Sequence, residues 1–76
     1  MSAMTHNKQV IRNLIDTAIV QAGGTQRKLA SAVGMSQHAI YHAIKVGRVS
    51  AELANKIDTF TKGLVSRERL RPDLFK

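Results

Sequence analysis

The residues with the most useful chemistry stand in one short stretch near the middle of the chain. An amide, two imidazoles and a phenol recur there at three- and four-residue steps, and they are Gln37, His38, Tyr41 and His42. Residues at this spacing share one side of a helix, where they can donate and accept hydrogen bonds. Such a helix edge can read base pairs in the DNA major groove, which is about 12 Å wide and admits one helix.

Each of these side chains has a base contact that suits its chemistry. Gln37, near the start of the helix, is placed for a bidentate contact to adenine N6 and N7. His38 and His42 can donate to guanine N7 or O6, and Tyr41 can contact a thymine methyl group through its ring or a phosphate through its hydroxyl. We predict that these four residues discriminate bases. The alternative is an ordinary solvated helix face.

A second set of residues around this stretch suits the DNA backbone. Gln26 opens a helix, where free backbone N–H groups and the helix dipole attract phosphate. The cations and the hydroxyl group nearby are Arg27, Lys28, Ser36, Lys45 and Arg48. We predict that this set contacts phosphates and fixes the position of the protein without reading sequence. The cations would also serve solubility alone.

The distribution of charge favours a polyanionic partner. Twelve Lys and Arg residues against five Asp and Glu residues give a formal net charge of +7. No acidic residue occurs between Asp16 and Glu52, so the basic field of the middle segment is not cancelled locally. Nucleic acid or an anionic membrane surface would be attracted to such a segment.

Metal binding and catalysis find little support in the same residues. His38 and His42 have the spacing of a two-histidine metal site, but no nearby Cys, Asp or Glu completes a tetrahedral set. The chain has no cysteine, and its five acids are scattered along different segments. No nucleophile has an identifiable base beside it. We therefore expect no metal, no cofactor and no enzymatic activity.

Five short helices are predicted to position these residues. Apolar residues recur at helical steps, Ser or Thr residues stand where helices would begin, and Gly residues stand where most would end. The predicted helices run from a cap at Asn7 to Gly23-Gly24, over Gln26–Val33, from Gln37 to about Val46, from Ala51 to about Thr61, and over Arg67–Leu70. The expected fold class is all-α, a compact bundle.

One domain is expected over residues 1–76 because the chain is too short for a second core. Residues 1–7 are expected to fray. Residues 64–76 are expected to pack on the core or on a partner subunit. Their apolar members are Leu64, Val65, Leu70, Leu74 and Phe75. A second candidate surface for a dimer includes Ile19 and Val20.

The stretch from Thr25 to Lys45 has the layout of a helix-turn-helix. Its two predicted helices are joined by Gly34-Met35-Ser36, a tight turn that begins with a residue tolerant of left-handed backbone. Ala30 is small where the second helix would cross the first. The residues expected to fix the angle between the helices are Leu29, Val33, Met35, Ile40 and Ala43. A generic pair of packed helices is the alternative interpretation.

The run from Thr25 to Ile40 resembles the helix-turn-helix of the lambda-repressor-like family. The run from Phe60 to Phe75 resembles the ending of small Cro-type regulators and of YdaS-like proteins, sometimes called antitoxins, of phages and prophages. The chain departs from this pattern in its longer, more apolar first helix and at Ala43, where an aromatic residue is frequent. The resemblance implies a lambda-repressor-like fold and a sequence-specific repressor, usually a dimer on a palindromic operator.

The predicted function is therefore a transcriptional regulator that binds a double-stranded DNA operator as a homodimer or higher homo-oligomer. Two alternatives stay open: an antitoxin-like autoregulator with a toxin or regulator protein as partner, and a basic protein-interaction adaptor without specific DNA binding. No membrane span is expected, because no apolar run approaches the ~20 residues that one needs. A membrane-surface role for the first helix is not expected either, because that helix carries only Lys8 and Arg12 against Asp16 and has no aromatic anchor. With no secretory signal visible either, the expected compartment is the cytoplasm, in the bacterial nucleoid or in a phage-infected host cell.

Overall fold

The computed structural model describes residues 8–75, and the regular structure within that range is entirely helical. The helices are α1 (Lys8–Ala22), α2 (Gln26–Val33), α3 (Gln37–Val46), α4 (Ala51–Thr61) and α5 (Arg67–Leu70). The predicted all-α fold class is confirmed. The expected Asn7 cap and the expected fraying of residues 1–7 lie outside the described residues.

Hydroxyl caps begin each helix from α2 to α5. The side-chain oxygens of Thr25, Ser36, Ser50 and Ser66 each accept a hydrogen bond from the backbone N–H three residues further on. Each bond satisfies one of the donors that the first turn of a helix leaves without a partner. The Ser and Thr residues therefore fix where these helices begin.

Left-handed residues end the helices that matter most for the site. Gly34 ends α2 with φ 71° and Gly47 ends α3 with φ 72°. α4 ends at Thr61, as predicted, but the left-handed residue that follows it is not a glycine. Lys62 already takes the left-handed conformation, with φ 54°, and the N–H of Gly63 then donates to the Asp58 carbonyl oxygen at 3.0 Å.

All five helices contribute to one apolar core. Its members are Ile11, Leu14, Ile15, Ala18, Leu29, Ala30, Val33, Ile40, Ala43, Val49, Leu53, Ala54, Ile57, Val65 and Leu70. No polar or charged side chain of residues 8–75 is buried. The bundle is therefore held by apolar packing, and its chemically active side chains stand at or near the surface.

The C-terminal tail, residues 64–75, packs in part on this core. Val65 and Leu70 are buried, whereas Leu64 and Leu74 are each about half exposed. Arg71 fastens the tail to the loop before α4, because its Nη1 donates to the Val49 carbonyl oxygen at 2.9 Å. Within residues 8–75, none of the helices has the length and apolar character that crossing a bilayer requires.

Candidate nucleic-acid interface

α3 has an apolar edge against the core and a polar edge toward solvent. Ile40 and Ala43 are buried on the first edge. The four predicted base-reading residues are all exposed on the second, and they are Gln37, His38, Tyr41 and His42. The fold thus leaves the whole polar edge of α3 accessible to a partner.

Three of these side chains form a ring cluster centred on His38. The His38 ring centroid lies 6.4 Å from that of Tyr41 and 6.2 Å from that of His42, with the rings tilted against each other. Imidazole N–H groups and apolar ring edges therefore stand side by side. A major groove presents the complementary mixture, with acceptor atoms on purines beside the methyl group of thymine.

The turn between α2 and α3 is fixed by backbone hydrogen bonds. The N–H of Met35 donates to the Ala30 carbonyl oxygen at 3.0 Å, and the N–H of Gly34 donates to the Ser31 carbonyl oxygen at 3.3 Å. Ser36 Oγ accepts from the N–H of Ala39 at 3.0 Å, which leaves its own O–H able to donate. The hydrogen bonds that fix this turn thus do not use the side chains of the predicted base-reading residues.

The beginning of α2 lies beside the beginning of α3. Thr25, Gln26, Arg27, Lys28 and Gln37 line one open depression. The positive end of the α2 dipole meets two cations there, and the first turn of α2 contains no acidic residue. The depression therefore suits an anion such as a DNA phosphate, next to the first predicted base-reading residue.

Lys45 and Arg48 lie toward the other end of α3, and both are exposed. Arg48 shares a shallow depression with His42 and with Ser50, the cap of α4. It also lies near Asp73 of the C-terminal tail. The hydrogen bond from Arg71 lowers the pKa of Asp73 to about 2, and the charge of Arg48 acts in the same direction. An acidic neighbour for Arg48 was not predicted from the sequence.

Sequence reasoning missed one residue that holds this site in place. Arg12 of α1 donates from Nε to the Ile44 carbonyl oxygen at 2.8 Å and from Nη2 to the Lys45 carbonyl oxygen at 2.9 Å. These contacts join segments more than thirty residues apart. The sequence offered one signal for this contact, since Arg12 directly follows Ile11 of the apolar stripe of α1. An ordinary solvent-exposed cation at that position would give the same pattern.

The two histidines of α3, His38 and His42, have the spacing of a metal-binding pair. Within the part of the chain that the structure describes, no group of three or more His, Asp or Glu side chains could hold a metal ion. A site with two histidines alone offers half of the four ligands that structural zinc takes.

A family model described as "Bacterial toxin YdaS" matches residues 15–76. The matched range includes the α2–α3 pair, α4 and the C-terminal tail, and it begins after Arg12. Comparison with curated proteins and with solved structures gave no match. The family match covers most of the chain, and its range includes every predicted base-reading and phosphate-contacting residue.

Proposed function

The chain belongs to the YdaS family of bacterial toxins, and from that premise we propose that it is a transcriptional regulator of a specific double-stranded DNA operator. In this proposal α2 and α3 form a helix-turn-helix, and α3 enters the major groove. The observation that carries the proposal is the exposed polar edge of α3, with Gln37, His38, Tyr41 and His42 free of the core. Binding and release of DNA then require no enzymatic step and no cofactor.

Base reading and backbone binding are assigned to different residues. Gln37 and the ring cluster contact base edges, where a good bidentate pair discriminates by about 1–3 kcal/mol. Gln26, Arg27 and Lys28 bind one phosphate group at the start of α2, beside Gln37. Ser36, Lys45 and Arg48 supply further phosphate contacts along α3. The first group sets the sequence that is bound, and the second sets most of the affinity.

A dimer and a palindromic operator complete the proposal. One module of this size reaches only a few base pairs, so tight binding takes two copies whose reading helices lie about 34 Å apart. Such a homodimer, or a higher homo-oligomer, acts as a repressor of the Cro type when its operator overlaps a promoter. The setting is the cytoplasm of a bacterium, with the gene derived from a phage or prophage.

The family description names a toxin, which links the chain to toxin–antitoxin pairs, and we keep as a second candidate an antitoxin-like autoregulator of such a pair. The same helix-turn-helix would then bind the promoter of its own operon, together with a toxin or regulator protein. The two candidates share the α3 interface and differ in whether a second protein changes the affinity for the operator. Binding assays with and without the product of the adjacent gene separate them.

A footprint on the DNA upstream of the gene tests the proposal. We expect protection of two half-sites one helical turn apart that survives excess competitor DNA. If the dimer makes six to eight phosphate contacts, the log–log dependence of affinity on salt should have a slope of about −5 to −7. Equal binding to every duplex, or no binding, would instead favour a basic adaptor for an acidic protein.

Two variants separate base reading from backbone binding. Gln37→Ala should lower affinity for the operator about 5- to 150-fold and relax the preference at one base pair of each half-site. Arg27→Ala should weaken operator and scrambled duplexes alike and reduce the salt slope by about 1 for each phosphate group that is no longer neutralised. Lys56→Ala, which removes a charge from the α2–α4 side, is the control. If Gln37→Ala affects both duplexes equally, Gln37 does not read bases.

A further inference from the structure

The C-terminal end of α3 is held by a residue from a distant part of the chain. Arg12 is half-buried, and its guanidinium group spans two successive carbonyl oxygens in the last turn of α3. Both donor–acceptor distances, 2.8 and 2.9 Å, are those of good charge-assisted hydrogen bonds. The planar fork of arginine suits this arrangement, whereas the ammonium group of lysine is a single point.

The contacts complete the hydrogen bonding of a helix end. The last carbonyl groups of a helix have no partners within it. In α3, the Ala43 carbonyl oxygen accepts from the N–H groups of Gly47 and Arg48, at 2.9 and 3.2 Å. The next two carbonyl groups, those of Ile44 and Lys45, are the ones that Arg12 takes. A positive charge there also lies at the negative end of the helix dipole.

A second contact places the first turn of α1 against the same end of α3. Gly47 is buried with φ 72°, and a Cβ atom at that position would lie 2.8 Å from the Cα atom of Lys8. The backbone of α1 therefore approaches the end of α3 too closely for any side chain at Gly47. Arg12 lies one helical turn after Lys8 in α1, and its hydrogen bonds join α1 to α3 beside this close backbone contact.

We propose that Arg12 is a positioning residue for DNA reading, which raises specificity by fixing the far end of α3. This inference rests on the proposed function and deepens it. α3 is about 15 Å long, because each of its residues rises about 1.5 Å. The turn and Ser36 hold its first end, and Arg12 holds its last. Contacts with base edges require both ends of α3 to be held at fixed positions in the groove, whereas attraction to phosphates tolerates a small pivot of the helix.

The experiment measures the affinity of each variant for the operator and for a scrambled duplex at one salt concentration. Arg12→Met keeps the stem and removes both donors, and Arg12→Lys keeps the charge but cannot span both carbonyl groups. Lys56→Met is the matched control for loss of one charge. Circular dichroism sets a temperature at which every variant is folded. Amide exchange at Gly47 and Arg48 reports on the end of α3 without DNA.

We expect Arg12→Met to lower operator affinity about tenfold while scrambled-duplex affinity falls no more than in Lys56→Met. Arg12→Lys should bind the scrambled duplex like the wild type and still lose part of its preference for the operator. In both Arg12 variants the two amides should exchange faster. If Arg12→Met is unfolded, the ratio of affinities in Arg12→Lys decides.

Two results would overturn the inference, and they differ from each other. If the Arg12 variants keep the wild-type ratio of operator to scrambled affinity, Arg12 is a structural contact alone, and the proposed function stands. If the wild-type protein itself shows no preference for any duplex, the proposed function fails and the positioning role fails with it.

Discussion

The α2–α3 pair and the C-terminal tail are both basic, yet they use their polar side chains in opposite ways. The pair is ordered by apolar packing and by caps, such as Ser36 Oγ on the N–H of Ala39. The tail also has a cap and two buried apolar residues, but it is fastened in addition by its long polar side chains. Arg67 Nη1 donates to Asn55 Oδ1 at 3.0 Å, and its guanidinium group lies 5.3 Å from the centroid of the Phe75 ring.

Arg71 shows the same use of side chains in the tail. Its guanidinium group donates to the Val49 carbonyl oxygen and, through Nε and Nη2, to both carboxylate oxygens of Asp73. In the α2–α3 pair, by contrast, the side chains of Arg27, Lys28 and Gln37 make no hydrogen bond within residues 8–75. Net charge alone does not separate cations that hold the fold from cations that are available to a partner.

The largest expected effect concerns whether the tail belongs to the folded unit. Leu70→Ala should lower the free energy of unfolding by about 2–5 kcal/mol, as much as Ile40→Ala in α3, because both side chains are almost fully buried. Leu74→Ala, at a half-exposed position, should change it by no more than about 0.5 kcal/mol. Urea denaturation gives the three values. A decrease below about 1 kcal/mol for Leu70→Ala would make the tail an appendage of the bundle.

Local signals predicted most of the fold. The bounds of α2, α3 and α5 follow from a hydroxyl residue that caps the first turn and, for α2 and α3, from a glycine with positive φ after the last. The exposed edge of α3 was predicted in the same local way, by removing the apolar positions from a helix of known period. Both inferences need only residues within one turn of each other.

The contacts that the sequence did not reveal join residues that are far apart along the chain. Arg12 and Arg71 each donate to backbone carbonyl oxygens, 32 and 22 residues away, and a carbonyl group has no residue type to mark it. The sequence also did not reveal which apolar residues of the tail are buried and which are exposed. Val65 and Leu70 are buried while Leu64 and Leu74 are half-exposed, and so short and irregular a segment offers no period from which to tell them apart.

A matched pair of arginine variants tests the comparison directly. Arg71→Gln should lower the free energy of unfolding by about 1 kcal/mol, because the Val49 carbonyl group loses its charged donor, and should leave DNA affinity nearly unchanged. Arg27→Gln should do the reverse, with a lower DNA affinity and an unchanged melting temperature. Thermal melts and binding assays on the same preparations measure both quantities. If Arg71→Gln lowered DNA affinity as much as Arg27→Gln does, the tail would also contact DNA.

The smallest expected effect is the pH dependence of the tail contact. The hydrogen bond from Arg71 is the main cause that lowers the pKa of Asp73 from 3.8 to about 2, and the charges of Arg71 and Arg48 add to it. A carboxyl group whose pKa is lower in the folded state stabilises the fold above its unfolded pKa. That stabilisation is lost as the pH falls from about 4 to about 2. The melting temperature of the wild type should therefore exceed that of Asp73→Asn near neutral pH, and the difference should vanish near pH 2.

Glu68→Gln is the control, because the Arg67–Glu68 pair joins half-exposed side chains 3.7 Å apart and such pairs contribute little. A difference for Asp73→Asn that stays constant from pH 7 to about pH 2 would show that its ion pair with Arg71 does not hold the tail.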